Sequence, residues 1–535
     1  NGGAIYWRAY AGHVAYSNFT SNDAVNGGAI YLNGVSSNTN ITHVIFKYNN
    51  ATKNGGAIDC NATRMNLTYT LFESNYAGEY GAALCREKGA TSGFGGYNNF
   101  TSNHAGIAGA ALAWMNVKNI NINHYIFTDN TADRMGGAIY ASEGSDNFTI
   151  NNSDFKGNNI TNGTDGYGGA IFSDSSNNTI KNSNFTNNNA FYGGAVYVDG
   201  DSGHTNVTNV TFDRNNAAVD GGAINLIASG VILNDTRFYN NTAQRNGGAV
   251  YVGYYAKNAI VNNSEFVMND AFANGGAICW DSVGGTVDNS LFYNNIVDAG
   301  QNKAYGGAIQ FTYGNVKISN SNFTWNMIYN RYGSAEGGAL SIWGKDSTVE
   351  NCKFEYNYAE SYAGAIDWKG TDGTILNSEF INNTASTQGG AINGNGANLV
   401  INKSAFTNNS AFYLGGAVGL SVHATIDNSN FTLNHANKGG AVFWDAPTGL
   451  VKNSYFYKND AYYAGGAIAS DYMYDNGEKI IQNSLFEENT ATITKLDGAD
   501  TVEGSVKQQI KDAVKVEKER AEGIETGLAA KIAVN

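Results

Sequence analysis

Few residues in this 535-residue chain have types and spacings that could do chemistry. Its seven histidines, at 13, 43, 104, 124, 204, 423 and 435, lack the His-x-x-x-His spacing that sets two imidazoles on one metal. They read as turn and surface residues, and neither a metal nor a cofactor is expected. Four cysteines, Cys60, Cys85, Cys279 and Cys352, are too few for a disulfide framework. Hydrolysis of a glycosidic bond requires two carboxylates at a set separation. Charged residues are only 15% of the chain, and no acidic cluster with a basic neighbour stands out along it, so no catalytic residue is assigned. An excess of 46 acidic over 32 basic residues, a net charge of −14, disfavours nucleic-acid binding. Recognition is better represented. Asn302, Lys303, Tyr305, Tyr329, Arg331 and Tyr332 combine an amide, two cations and three aromatic rings. That mixture suits an anionic or glycan ligand, with the Arg331 fork able to hold a carboxylate. It works only if the fold brings 302–305 against 329–332.

The elements that would do so are set by a repeat. The tetrad Gly-Gly-Ala-(Ile/Val/Leu) starts at 15 positions from Gly2 to Gly465, with near-copies at Gly81, Gly109 and Ala363. These 18 copies recur about every 27 residues. Between them runs Phe-x-x-Asn, also 18 times, from Phe19/Asn22 to Phe486/Asn489. Apolar residues alternate after the tetrad, as in Ile5/Trp7, Ile278/Trp280 and Val442/Trp444. A period of two is that of a strand with one face in and one face out. A β-branched pair such as Thr179-Ile180 precedes many of the Phe residues. Three short strands between Asn/Gly/Ser turns account for one repeat, and nothing within it has a helical period. The predicted fold is all-β, a parallel β-helix (solenoid) of about 18 coils over residues 1–492. Coils about 4.8 Å apart would make a rod on the order of 85 Å long.

In such a coil the second Gly of each tetrad, Gly222 for example, turns inward, where a sharp turn and the adjacent coils leave no room for a Cβ. Phe185 and its equivalents should stack as an internal aromatic column. Asn188 and its equivalents stand at a turn, either as a ladder of paired amides or as turn chemistry alone. Cys60 falls inward, Cys85 and Cys279 outward, and Cys352 takes a place usually held by Ser. Cys60 and Cys85 are therefore on neighbouring coils but opposite faces, which argues against a bond. Stacking could still set Asp59 beside Cys85 or Arg86. The residue after each tetrad, as in Tyr6, Tyr31, Tyr140, Phe172, Tyr197, Tyr251 and Phe443, should point outward, through strand propensity or as contact surface.

The tetrad paired with Phe-x-x-Asn resembles the repeat of the polymorphic outer-membrane proteins of chlamydiae, and is similar to repeats in large adhesin-like surface proteins of gut methanogens. The resemblance covers about residues 1–491. It implies a right-handed β-helix, export to the cell surface and a role in adhesion. The chlamydial family ends in an outer-membrane β-barrel that this sequence does not show, so autotransport is not implied. The chain starts inside the pattern, at Asn1-Gly2-Gly3, and reads as a portion of a longer polypeptide whose secretion signal would lie upstream. No run of 18 apolar residues predicts a membrane span. Parallel β-helices also include polysaccharide lyases, polygalacturonases and tailspike glycosidases. The polygalacturonase elements Asn-Thr-Asp, Asp-Asp, Gly-His-Gly and Arg-Ile-Lys are absent here. Asn-x-Ser/Thr sequons such as Asn322-Phe323-Thr324 are frequent and allow glycosylation on an exported surface.

Residues 493–535 are different, with 15 charged residues and no Phe, Tyr or Trp. Val502, Val506, Ile510, Ala513, Ile524, Leu528 and Ile532 fall at helical spacing. This predicts a helical tail that either caps the β-helix or self-associates as a coiled coil, as a homotrimer. The run Glu503 to Glu525 resembles short helical segments of phage tail-fibre proteins, which implies an alternative: a receptor-binding fibre or tailspike on a virion tail. From Phe to the next tetrad, 14 of 17 coils use 8 or 9 residues. Phe155 to Gly168 takes 13, and Phe292 to Gly306 and Phe323 to Gly337 each take 14. The last two insertions are on consecutive coils and leave from the same turn, so they should pack together. Insertions on one face mark either a binding face or tolerated drift. The expected function is a non-enzymatic surface adhesin binding a glycan or protein ligand on a host or microbial surface. A polysaccharide lyase or glycosidase is the third reading.

Overall fold

A computed structural model of the chain describes residues 1–492 apart from 35–37, 63, 89, 91–93, 200–202, 301–302, 331 and 472–476. Residues 493–535, and with them the expected tail helix and its trimer, lie outside the described residues, as do Asn302 and Arg331. Asn1–Ala491 forms one compact unit. Among the described residues every regular element is a strand of two to five residues.

Each coil contributes four strands, one more than the sequence pattern suggested. The tetrad sheet runs from Ile5–Trp7 to Ile468–Ala469, the second from His13–Ala15 to Lys479–Gln482, the phenylalanine sheet from Asn18–Thr20 to Leu485–Glu487, and the fourth from Asp23–Ala24 to Thr490–Ala491. The fourth was missed because most of its strands are only two residues long, too short to show a period. Neighbouring strands pair parallel with equivalent residues in register, Ile5 with Ile30 and Phe19 with Phe46. The three longer sheets each hold 18 strands, one per copy of the repeat.

Register converts the repeat into columns. Phenylalanine rings stack from Phe19 through Phe185 to Phe486 with centroids 4.5–5.1 Å apart. The asparagines form the ladder. Asn188 Nδ2 donates to Asn215 Oδ1 at 2.9 Å and to the Phe155 carbonyl at 3.0 Å. Its Oδ1 accepts from both Nδ2 and the backbone N–H of Asn158. All donors of that buried amide are used, so its desolvation is compensated. Cys352 sits in a parallel column of buried serines, its N–H donating to Ser378 Oγ at 3.2 Å.

The two glycines of the tetrad have separate tasks. Positive φ belongs to the first, as in Gly221 at 67°, not to the second. The second marks the contact between coils: a Cβ at Gly222 would overlap the Gly248 carbonyl and lie 2.6 Å from that of Thr242. The sharp turn expected at Gly222 is thus made one residue earlier. Two more corners flank the phenylalanine strand, at Asn182 (φ 50°) and Asn187 (φ 55°) in one coil, and Asn recurs there along the rod. Asn tolerates the left-handed region better than most residues, which accounts for much of the composition.

Candidate functional site

The residues before and after the tetrad meet at a corner on the outside of the coil. The tetrad strand turns its middle residue away from the core, and the chain entering the tetrad carries side chains that lie against it. Tyr167 packs edge-on against Tyr197 at 4.9 Å, Tyr80 meets Tyr140 at 5.7 Å, and Gln388 donates to Asn393 at 3.1 Å. The column after the tetrad is therefore outward but largely covered: Phe172, Tyr197 and Phe443 are 6, 9 and 3% exposed. Rings there also stack on one another, Tyr6 on Tyr31 and Phe172 on Tyr197, both at 5.6 Å. The same holds for an exposed ladder at the first corner, Tyr16–His43–Tyr69–Tyr97–His124, with centroids 4.7–5.2 Å apart. Faces that cover each other leave only edges and hydroxyls to a ligand. A continuous platform of tyrosine faces for sugars does not form along these stacks.

The corner is most elaborated at the two consecutive insertions. There the fourth-sheet strands lengthen to four residues, Ile296–Ala299 beside Met327–Asn330. Beyond them Ala304–Tyr305 pairs with Ala335–Glu336, a two-residue pairing where the column of residues before the tetrads elsewhere makes single bridges, as from Asn274 to Tyr305 and from Glu336 to Tyr362. The insertions do pack on one another, as their spacing required. In the loops leading into this pairing Lys303 is exposed and Tyr332 is 78% exposed. Tyr329 is mostly enclosed, its hydroxyl directed at Met327 Sδ (3.0 Å) and its ring near Tyr358 at 5.5 Å. Tyr305 is half-covered, with its ring edge-on to Trp343 at 4.6 Å. Of the six residues expected at a ligand site, two are presented to solvent, two are engaged within the protein, and two are not among the described residues.

Beneath Tyr305 lies a polar cluster that the linear sequence did not reveal. Glu336 and Asp367, on successive coils, both hold the Lys369 ammonium; Asp367 Oδ2 is 3.4 Å from it. The same ammonium stands over the rings of Tyr305 and Trp343, 4.3 and 4.8 Å from their centroids. Asn393 Nδ2 donates to Asp367 Oδ1 at 2.9 Å, and Trp343 Nε1 donates to Ser341 Oγ at 3.0 Å. Burial raises the Asp367 carboxyl above the usual carboxylate range, although Lys369 pulls the other way. Burial acts to lower the Lys369 pKa, but Asp367 and Glu336 outweigh it and keep the ammonium charged. Two carboxylates sharing one lysine have the elements of an acid–base pair. Here they lie under aromatic rings, with Asp367 fully buried and Glu336 nearly so. What the cluster does is fasten the insertions to the coil that follows.

Glu336 stands before the tetrad of one coil, where its neighbours are Tyr305 and Tyr362, whereas Asp367 and Lys369 lie within and just after the tetrad strand Ile366–Trp368 of the next, where adjacent coils carry Ser341 and Asn393, and Trp343 and Asn395. Aligning the coils by their tetrads would have singled them out. Reading the chain for local clusters could not.

Residues 43–61, 125–142 and 235–253 match the family model of the Chlamydia polymorphic membrane protein (Chlamydia_PMP) repeat. Each stretch spans a Phe-x-x-Asn corner and the tetrad strand after it, for example Phe46, Asn49 and Gly55–Ile58. No curated protein matches the chain. The same corner and strand recur in every coil between and beyond those stretches, and the chain is a parallel β-helix in which three stretches match the polymorphic-membrane-protein repeat.

Proposed function

We propose that the protein is a non-catalytic, adhesin-like rod of the cell surface, and that ligand is met at the paired insertions. The family repeat supports the surface location and the adhesive class. The observation that carries the site is the ordered pairing of the two insertions, Ile296–Ala299 with Met327–Asn330 and Ala304–Tyr305 with Ala335–Glu336, tied down by the Glu336–Lys369–Asp367 cluster. Loops that merely drift have no reason to lengthen the strand pairing and acquire a buried ion network, whereas a preorganised loop loses less entropy on binding. Lys303 and Tyr332 are its exposed contacts, joined in this reading by Asn302 and Arg331. A glycan or protein surface bearing carboxylates fits that set. Self-association through 493–535 belongs to the same proposal.

Shortening both insertions to the nine-residue spacing should leave the far-ultraviolet circular dichroism of a β-helix intact, because most coils already use that length. The double deletion should lose binding on a glycan and surface-protein array, and the intact chain should release no sugar from a polysaccharide panel. Undiminished binding by a folded double deletion would place the site elsewhere on the rod.

A further inference from the structure

We propose that Asp59, Cys85 and Glu87 bind a thiophilic divalent cation of the zinc class. The scattered histidines gave no reason to expect a metal, because the ligands here come from different coils. Asp59 and Cys85 are register partners in adjacent strands of the tetrad sheet, each the middle residue and so on the outer face. Glu87 follows two residues after Cys85. One carboxylate oxygen of Asp59, Cys85 Sγ and one carboxylate oxygen of Glu87 all lie within 4.8 Å of one another. Ligands in a tetrahedral zinc site stand about 3.5 Å apart, given metal–ligand bonds of about 2.0–2.3 Å, so side-chain adjustments of about 1 Å close the site.

An independent observation points to a cation. Asp59 is 2% exposed, and its Oδ1 is buried without a hydrogen-bond partner. A buried carboxylate oxygen without a donor is costly unless something positive meets it. Among the described residues neither Asp59 nor Glu87 is in an ion pair. Arg86, the nearest cation in sequence, turns the other way: it pairs in register with Cys60 and lines an interior cavity with Trp114 and Tyr125. Asn54 Nδ2 donates to Glu87 Oε1 at 3.0 Å and can orient that carboxylate. The thiol sets the choice of ion, because magnesium and calcium take oxygen ligands whereas zinc, cobalt and cadmium accept thiolate. Cys279, at the same place in a later coil, faces Gln310 Oε1 at 3.2 Å and serves as an internal control.

The test is a cobalt(II) titration of the chelator-treated full chain, followed by the ultraviolet thiolate-to-cobalt charge-transfer band. One equivalent should bind, zinc should displace it, and Cys85→Ala should abolish the band while Cys279→Ala retains it. Glu87→Gln, at a half-buried position that does not threaten folding, should weaken the affinity at least about tenfold, since even outer-shell changes cost that much. Absence of the band from the folded wild-type chain, or its persistence in Cys85→Ala, overturns the proposal.

Discussion

At the scale of single residues, the rod depends on polar side chains that are buried and fully used. The asparagine ladder runs unbroken from Asn22 to Asn489, each amide donating to the next at 2.8–3.0 Å. Asp270 is an exception in the neighbouring strand, its Oδ1 buried without a hydrogen-bond partner. Burial, then the charge of Asp298, pushes its carboxyl up to about 6 from an ordinary 3.8. The folded chain therefore holds that proton more tightly than the unfolded chain does. The sign follows: stability falls as pH rises from about 4 to about 6, and the loss persists at higher pH. Asp270→Asn removes the ionisation and should stabilise the chain by about 2 kcal/mol near neutral pH, with little effect below about pH 4. Thermal melts of both proteins across that range check it; equal shifts at all pH values would contradict the assignment.

At the scale of the element, one coil rests on the next through the second glycine of the tetrad. Ala82 and Ala110 hold that place in two coils, both fully buried, so a lone methyl is admitted where the neighbouring chain gives way. A branched side chain is not. Gly222→Val should destabilise its coil by more than about 3 kcal/mol, and Gly222→Ala by about 1–2 kcal/mol. Because stability in a solenoid is a sum of local and nearest-neighbour terms, the measurement is hydrogen exchange at amides of the 193–250 coils rather than one global midpoint. Protection lost evenly along the rod would show that the seam is not local.

At the scale of the whole molecule, the columns give Asn1–Ala491 a continuous interior, and among the described residues the final coil presents apolar side chains outward. Ile480, Ile481, Leu485 and Phe486 are 39–53% exposed. Solenoids require their terminal coils to be capped or partnered. Residues 493–535 follow directly, and their apolar stripe is marginal as an isolated helix in water. Sedimentation of the chain with and without 493–535 should show an oligomer, a trimer by the sequence expectation, that reverts to monomer on truncation. Equal monomer masses would leave the tail only the role of a cap. Apart from the tail, the chain carries a strong negative charge, and Lys303 is an exposed cation on that acidic surface.

Sequence alone determined the repeat and most of its consequences. A period of about 27 residues with invariant Phe and Asn forces equivalent residues into register, so the phenylalanine column and the packing of Cys352 among serines were legible from spacing, and the amide ladder was one of the two readings it allowed. It also located the insertions, since a departure from a repeat is visible against it. Legibility ended where contacts join residues one coil apart but different in position within the coil. The fourth sheet was too short to pattern, the burial of the outer tyrosine column depends on the angle at the tetrad, and the turn lies at the first glycine rather than the second. The Glu336–Asp367–Lys369 cluster and the convergence of Asp59, Cys85 and Glu87 belong to the same class. Each is assembled across a stacking distance that the chain covers only after a full coil, and only the tertiary structure brings those side chains together.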